Sequence, residues 1–228
     1  GVPYAAYGRD LHEGQARVNR PAFAHLLAQE WIAAMPDVVA RLQGDPPARI
    51  ADIGMGQGWS SIALAKAFPK ARVDGFDPDE ASVAAARENA RAAGVGDRVT
   101  MITRDAGDPE LAGRYDFALA IECVHDMSDP VAVLAAMRRL VGPGGTVLIV
   151  DERVPDAFAP NGDESERMMY GFSVLHCLPV GMAAAPSAAT GAVMRRPTFR
   201  RYAEAAGYHR IDELPVEHET FRFYRLRG

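Results

Sequence analysis

Cysteine is almost missing from this chain: Cys123 and Cys177 are its two examples. Two cysteines do not make the framework of a disulfide-stapled secreted domain, so a reducing, cytoplasmic setting is expected. Lysine is equally scarce, with Lys66 and Lys70 set against 23 arginines. With the abundant alanine, this points to GC-rich bacterial codon usage and carries no functional information. A basic excess is lacking too. The 25 basic and 30 acidic side chains leave a net charge of −5, whereas a nucleic-acid surface shows as a positive patch. No run of about 18 apolar residues occurs, so no membrane-spanning helix is expected, and no charged-then-apolar leader is visible. His12, His25, His209 and His218 show no ligand spacing, and no metal site is expected. The chain opens on Gly1 instead of methionine, so a processed product or a piece of a longer one is expected.

What is present reads as one globular domain with a small appendage. The 228 residues are 48% hydrophobic and 24% charged, too apolar for disorder. Residues 1–20 lack clear periodicity. Asn19-Arg20-Pro21 reads as a helix start, a capping residue followed by proline in the first turn. Phe23, Leu26, Leu27, Trp31 and Ile32 then follow at helical spacing to about Met35. A short helix from Pro36 to Gln43 ends at Gly44. From Arg49 onward, short apolar runs alternate with helices. Strands are predicted at Arg49–Ile53, Arg72–Phe76, Val99–Thr103, Phe117–Ile121 and Thr146–Asp151. Helices are predicted at Trp59–Phe68, Asp79–Ala93 and Asp129–Leu140. Such alternation implies an α/β fold, a parallel sheet with helices on both faces. Beyond it, Glu164–Leu178 reads as a helix rich in methionine and aromatics, and 181–194 as a loop or lid. Thr198 reads as the cap of a helix through Ala206. Two strands near Arg210–Leu214 and Thr220–Leu226 are close enough for an antiparallel pair.

The segment Asp52-Ile53-Gly54-Met55-Gly56-Gln57-Gly58 falls where the first strand turns into a helix. Glycines there allow positive φ and close approach of a ligand. Asp77 ends the second strand 19 residues after Gly58, the position from which an acid accepts hydrogen bonds from ribose hydroxyls in nucleotide-binding sheets. A dinucleotide fingerprint is G-x-G-x-x-G; here the third glycine arrives one residue early, and Trp59 stands where that fingerprint wants glycine. Trp59 either packs the helix against the sheet or lines the ligand pocket.

The pattern (D/E)-x-G-x-G-x-G, from Asp52 through Gly54, Gly56 and Gly58, resembles motif I of class I S-adenosylmethionine-dependent methyltransferases. Arg104-Asp105-Ala106 after the third strand and Pro143-Gly144-Gly145 before the fifth resemble further motifs of that family. The likeness spans about residues 45–228. It implies a Rossmann-like, seven-stranded, mostly parallel sheet with an antiparallel last strand, and S-adenosylmethionine as cofactor, with S-adenosylhomocysteine as product. It also implies that Asp52, Gly54, Gly56, Gly58, Asp77, Asp105 and Ala106 form the cofactor site, with Asp77 at the ribose and Asp105 at the adenine amino group.

Strand four leads into Ile121-Glu122-Cys123-Val124-His125-Asp126-Met127-Ser128-Asp129, and strand five into Val150-Asp151-Glu152. In a doubly wound sheet ligands bind outside the carboxyl ends of strands, so His125 and Asp151 are expected to converge on the methyl acceptor. A histidine with an acidic orienter suits removal of a hydroxyl proton. The alternative is that His125 is structural, beside a helix opened by Ser128 or Asp129. His125-Asp126-Met127-Ser128-Asp129 also resembles the H-D-W-S-D segment of small-molecule O-methyltransferases, which implies His125 as base and Asp151 as its orienter; Met127 replaces the tryptophan. Met168–Met182 and Ala203–Tyr208 resemble bacterial methyltransferases with a preceding winged-helix-like domain. By that likeness 1–44 is a helical link, 45–228 the catalytic domain, Tyr4 and Tyr7 close over the cofactor, and a hundred or more residues precede Gly1 and can mediate a homodimer. His176 is a candidate substrate contact. The expected function is methyl transfer to a small molecule, at oxygen, with no membrane or nucleic-acid partner. Transfer to nitrogen, carbon or sulfur by proximity, or cofactor sensing with little catalysis, are the alternatives.

Overall fold

The computed structural model describes residues 1–106, 108 and 115–228. Among them one sheet has seven strands: β1 (Arg49–Ile53), β2 (Arg72–Asp77), β3 (Val99–Thr103), β4 (Phe117–Ile121), β5 (Thr146–Glu152), β6 (Arg210–Glu213) and β7 (Phe221–Arg227). Their order is β3-β2-β1-β4-β5-β7-β6. The first five run parallel, and β7 pairs antiparallel with both β5 and β6. The Rossmann-like sheet expected from the sequence is the one observed. Strand order reverses between β1 and β4, which opens a crevice at their carboxyl ends.

Each strand forms for a reason visible in its residues. β4 and β5 are central and covered on both faces, so their side chains are buried throughout and they carry the continuous apolar runs Phe117–Ile121 and 147–150. The helices are fixed at their starts. The Asp79 side chain accepts from Ser82 N at 2.8 Å and opens α4 (Glu80–Ala92). Asp129 does the same for Ala132 N at 2.9 Å ahead of α5 (Pro130–Val141), where Pro130 takes a first-turn position. An acceptor at the cap satisfies an amide that the helix itself leaves free.

Alternation along β1 divides the interior. Ile50 faces a core that holds Ile62 and Leu64 of α3 (Trp59–Ala67) and Val83 and Ala86 of α4. Ala51 and Ile53 face the other, built from Leu134, Met137 and Leu140 of α5 and Phe199 and Ala203 of α8 (Arg196–Ala205). Leu27, Trp31, Ile32, Met35 and Leu42 are all 0% exposed and belong to the first core. The segment before β1 is therefore packed onto the sheet from residue 27 onward.

Two helix starts differ from the sequence reading. No helix begins at Asn19: α1 runs from Gly8 to His25 with Pro21 inside it, followed by a π-helical stretch at Leu27–Ile32 and α2 at Pro36–Gln43. Tertiary contacts explain this. His12 is buried and stacks on Tyr4 with ring centroids 4.1 Å apart, while Asn19 and Arg20 are engaged by side chains across the crevice. Thr198 is not a cap either. α8 starts two residues earlier, with Arg195 at the cap and Pro197 in the first turn, the placement proline prefers. Helical structure continues from α6 (Glu164–Phe172) through a π-helical turn at Ser173–Cys177 into α7 (Leu178–Gly181).

Candidate active site

The glycine loop leaves β1 and turns into α3. Gly54, Gly56 and Gly58 have φ of 68°, 52° and 78°, the left-handed region that glycine enters without penalty. Gly58 is also sterically required: a Cβ there would lie 2.7 Å from Met101 Cε and 2.9 Å from Ala86 Cβ. At Gly56 the same construction meets nothing within 4 Å, so that residue borders open space. Its N–H donates to Asp77 Oδ2 at 2.9 Å, and Asp79 N–H donates to Asp77 Oδ1 at 2.9 Å. Asp77 thus closes β2 onto the loop. An ionised carboxylate has about four lone-pair sites, so capacity for two hydroxyl donors remains.

Asp52 has a different setting. It is 1% exposed, and both Ser60 Oγ and Ser61 Oγ of α3 donate to its Oδ2 at 2.6 Å. Burial pushes its pKa up to about 6. It therefore ties β1 to α3 beneath the loop. Asp105 is exposed just beyond β3, and the neighbouring Ala106 is buried.

The turn after β4 carries His125, 2% exposed. Its Nδ1 lies 2.8 Å from Asp151 Oδ1 at the end of β5. The expected pair is thus in contact, although 26 residues separate the two in sequence. Glu152 Oε2 lies 2.8 Å from the same nitrogen, a neighbour that sequence reading passed over. Burial opposes charge on His125, yet Glu152 and Asp151 outweigh it and hold the ring's pKa well above the usual histidine value. Burial likewise raises Glu152 far above an ordinary carboxyl. For Asp151 burial is overcome by His125 and by a hydrogen bond from Glu152, and its pKa falls. Among the described residues these three form the one group of histidine and carboxylate donors spaced closely enough for a cation. The Asp151 contact is a hydrogen bond, whereas Glu152 Oε2 at the same distance is buried without a hydrogen-bond partner, and we read the group as sharing protons.

Two more acids surround it. Glu122 has φ of 51°, uncommon for a residue with a side chain; burial raises its pKa to about 7, and it accepts a hydrogen bond from Asn19 of α1. Asp126 is likewise raised to about 7 by burial. From the far side comes Cys177 of the π-helical turn, whose Sγ lies 3.7 Å from His176 Nδ1. The 181–194 stretch is an irregular loop seated on the same turn. Gly191 N–H donates to His125 O at 2.9 Å, and Ala188 N–H donates to Ser128 O at 2.8 Å. A side chain at Gly191 would lie 2.2 Å from Ser173 Oγ, so that contact needs glycine.

The N-terminal segment roofs the crevice. His12 lies close enough to Asp77 to act on that carboxyl, and Tyr4 close enough to feel Asp77, Asp79 and Asp126. The rings of Tyr4 and Tyr7 meet His176 edge-on at 5.7 and 4.7 Å. His176 is 6% exposed, and burial lowers its pKa. Trp59 carries the Arg20 guanidinium 3.8 Å above its ring.

Residues 50–145 match the family described as methyltransferase domain. Over 101 residues the chain is 36% identical to a ubiquinone biosynthesis O-methyltransferase of Pseudomonas aeruginosa, a match covering 44% of this chain and 43% of that enzyme. The chain thus spans less than half the length of the curated relatives it matches. Among solved structures, LaPhzM superimposes with a TM-score of 0.71 at 22% identity, covering 100% of this chain and 62% of that one. The mitomycin 7-O-methyltransferase MmcR does so with 0.63 at 21% identity, covering 96% and 59%. At these identities the likeness shows the fold.

Proposed function

We propose, for a chain that carries a class I S-adenosylmethionine-dependent methyltransferase domain, that it moves a methyl group to a hydroxyl oxygen of a small molecule. His125 is the general base and Asp151 its orienter. The observation that carries this reading is the 2.8 Å contact between His125 Nδ1 and Asp151 Oδ1, at the carboxyl ends of the two strands beside the glycine loop. The ubiquinone biosynthesis relative and MmcR are both O-methyltransferases, which supports oxygen as the acceptor atom.

The crevice suits the cofactor. Gly56 borders open space, and Asp77 keeps spare lone pairs for the two ribose hydroxyls. Asp105 offers an acceptor for the adenine amino group, with Ala106 beside it. Asp52, Gly54 and Gly58 shape the loop from below, and Tyr4 and Tyr7 close it from above. When bound, S-adenosylmethionine supplies an electrophilic methyl on a sulfonium. Asp151 accepts the Nδ1 proton and so fixes the tautomer, leaving Nε2 as the basic atom. Nε2 takes the hydroxyl proton as the oxygen attacks, which is where a positioned base is worth about 10²–10⁴-fold. The setting we propose is cytoplasmic, in keeping with two unpaired cysteines; among the described residues no helix is long and apolar enough to cross a membrane.

The test uses purified chain and a panel of catechols, phenols and hydroxyquinones. His125→Gln is expected to lower turnover by about 10²–10⁴-fold and to leave cofactor affinity, read by calorimetry, nearly unchanged. Asp151→Asn is expected to lower turnover less. If both variants methylate a good acceptor at the parent rate, the pair is structural, and proximity-driven transfer to nitrogen, carbon or sulfur takes its place.

A further inference from the structure

His125 has two carboxylates on one nitrogen, and a single orienting acid needs only one. Asp151 Oδ1 and Glu152 Oε2 each lie 2.8 Å from Nδ1. Asp151 is 1% exposed and Glu152 7%. One N–H cannot be shared equally by two anions in a buried site without a large charge penalty. A neutral imidazole between two carboxylates would leave two buried negative charges. One extra proton removes one of them.

We infer that Glu152 is a positioning residue which holds that proton, donating its own O–H to Asp151 while Asp151 receives Nδ1–H of His125. In this arrangement Glu152 is a neutral acid, Asp151 the only anion, and His125 a neutral ring with a free Nε2. The same proton can instead sit on His125 with Glu152 ionised, and the ring is then imidazolium and no base. Glu152 therefore decides whether the base is available. The geometry agrees with this. Asp151 Oδ2 and Glu152 Oε2 are both buried without a hydrogen-bond partner, an oxygen of each carboxylate lies within 4.8 Å of the other and of the ring nitrogen, and the Glu152 backbone N–H donates to Asp151 Oδ1 at 3.0 Å.

The groups facing the triplet favour keeping the proton. Glu122 approaches from the end of β4 and Asp126 from the same turn as His125. The π-helical turn contributes Cys177 and His176, and burial lowers the pKa of the latter. On β7, Arg222 pairs in register with Asp151, but its guanidinium turns away toward Glu213 and Asp156, at 3.4 and 3.9 Å. None of these surroundings offers the triplet a compensating cation.

The proton count closes through a turnover. The acceptor O–H bond breaks, its proton passes to Nε2, and the oxygen pair forms the new bond to carbon. The methyl–sulfur bond breaks and leaves its pair on sulfur. Glu152 keeps its proton throughout, and the imidazolium returns the gained one to solvent.

This inference rests on the methyl-transfer reading for its use, but its first test needs no acceptor. The ring of His125 is followed by histidine NMR titration, assigned by the signal lost in His125→Gln. In the parent chain the midpoint is expected above the usual 6.5. Glu152→Gln replaces one neutral donor by another, so the midpoint is expected to stay within about half a pH unit of the parent's. An ionised Glu152 would make it fall by about one unit or more, a tenfold loss of imidazolium at fixed pH, and that fall overturns the inference. Infrared difference spectra of parent against variant separate a proton-holding Glu152 from a merely structural one. At pH 8, above the values of about 7 that burial gives Glu122 and Asp126, the C=O stretch of a protonated carboxyl is expected in the parent and is lost in Glu152→Gln. Glu152→Asp, which shifts that band, takes its place if the glutamine variant does not fold. Absence of the band from the parent overturns the inference. With a turned-over acceptor, the rising limb of rate against pH is expected to keep its place in Glu152→Gln. If no acceptor is methylated by any variant while the band is lost as expected, the methyl-transfer reading fails and the role of Glu152 stands.

Discussion

At the scale of single residues, position along a strand explains both what converges here and what sequence reading passes over. Asp77 ends β2, and its two oxygens receive Gly56 N–H and Asp79 N–H. Replacing it by alanine removes the acceptor for bound hydroxyls and the tie that holds the loop. Asp77→Ala is expected to weaken S-adenosylmethionine by on the order of 1–3 kcal/mol, read by calorimetry, while NAD binds neither form. Asp151 was legible because an acid at a strand end beside a histidine-bearing turn has a chemical purpose. Glu152 was not, because consecutive residues of a strand point to opposite faces, so a second acid directly after Asp151 carries no signal that it joins the same site. β5 ends at Glu152, and at that end both carboxylates reach one nitrogen. Asp52 shows the converse. Its place two residues before Gly54 marks the motif, yet its side chain is spent on two serine hydroxyls, a burial that no spacing reveals.

At the scale of elements, local signals succeeded where the chain is self-contained and failed where distant contacts decide. β1, β3 and β4 begin and end at the residues expected: β4 is a buried apolar run bounded by turn residues, and the edge strand β3 alternates buried Val99 and Met101 with exposed Thr100 and Thr103. α4 and α5 follow their aspartate caps. The N-terminal helix is the exception. Asn19 and Pro21 carry a strong start signal, but Asn19 is spent on Glu122, Arg20 on Trp59 and His12 on Tyr4, and α1 runs on through the proline. A proline in a helix interior removes one hydrogen bond and crowds the carbonyl four residues back, at a cost of about 3 kcal/mol. Pro21→Ala is therefore expected to stabilise the chain by about 1–2 kcal/mol, less than the full cost because the native packing already accommodates the ring. A denaturant midpoint that rises at unchanged slope is the measurement, and a fall would mean that the proline itself seats Tyr4 and His12 over the crevice.

At the scale of the whole molecule, the carboxyl ends of the strands gather buried acids that the sheet cannot neutralise with cations. Burial lifts Asp52 to about 6 and Glu122 and Asp126 to about 7, against ordinary values near 4 in the unfolded chain. Folding thus binds protons between about pH 4 and 7, where the unfolded chain has released them. Stability must then fall as pH rises through that window. His125, raised by Glu152 and Asp151, acts in the same direction, since its favourable charge is lost as pH climbs through its folded value. Surface acids work oppositely. Asp37, held low by the Arg225 hydrogen bond, and Asp156, held low by Arg196, lose their contribution only as pH drops below about 4, and their exposure keeps it small. The thermal midpoint is therefore expected to be highest at about pH 4–5 and to decline toward pH 8. Asp126→Asn is expected to flatten the alkaline decline, because an amide cannot ionise in that setting, and calorimetric scans of both proteins at pH 5.5 and 8 measure it. A parent midpoint that instead rises from pH 5.5 to 8 would mean that these acids are solvated and ionised in the folded chain. The crevice would then be open to water at the point where His125 must stay dry enough to depend on its two carboxylates.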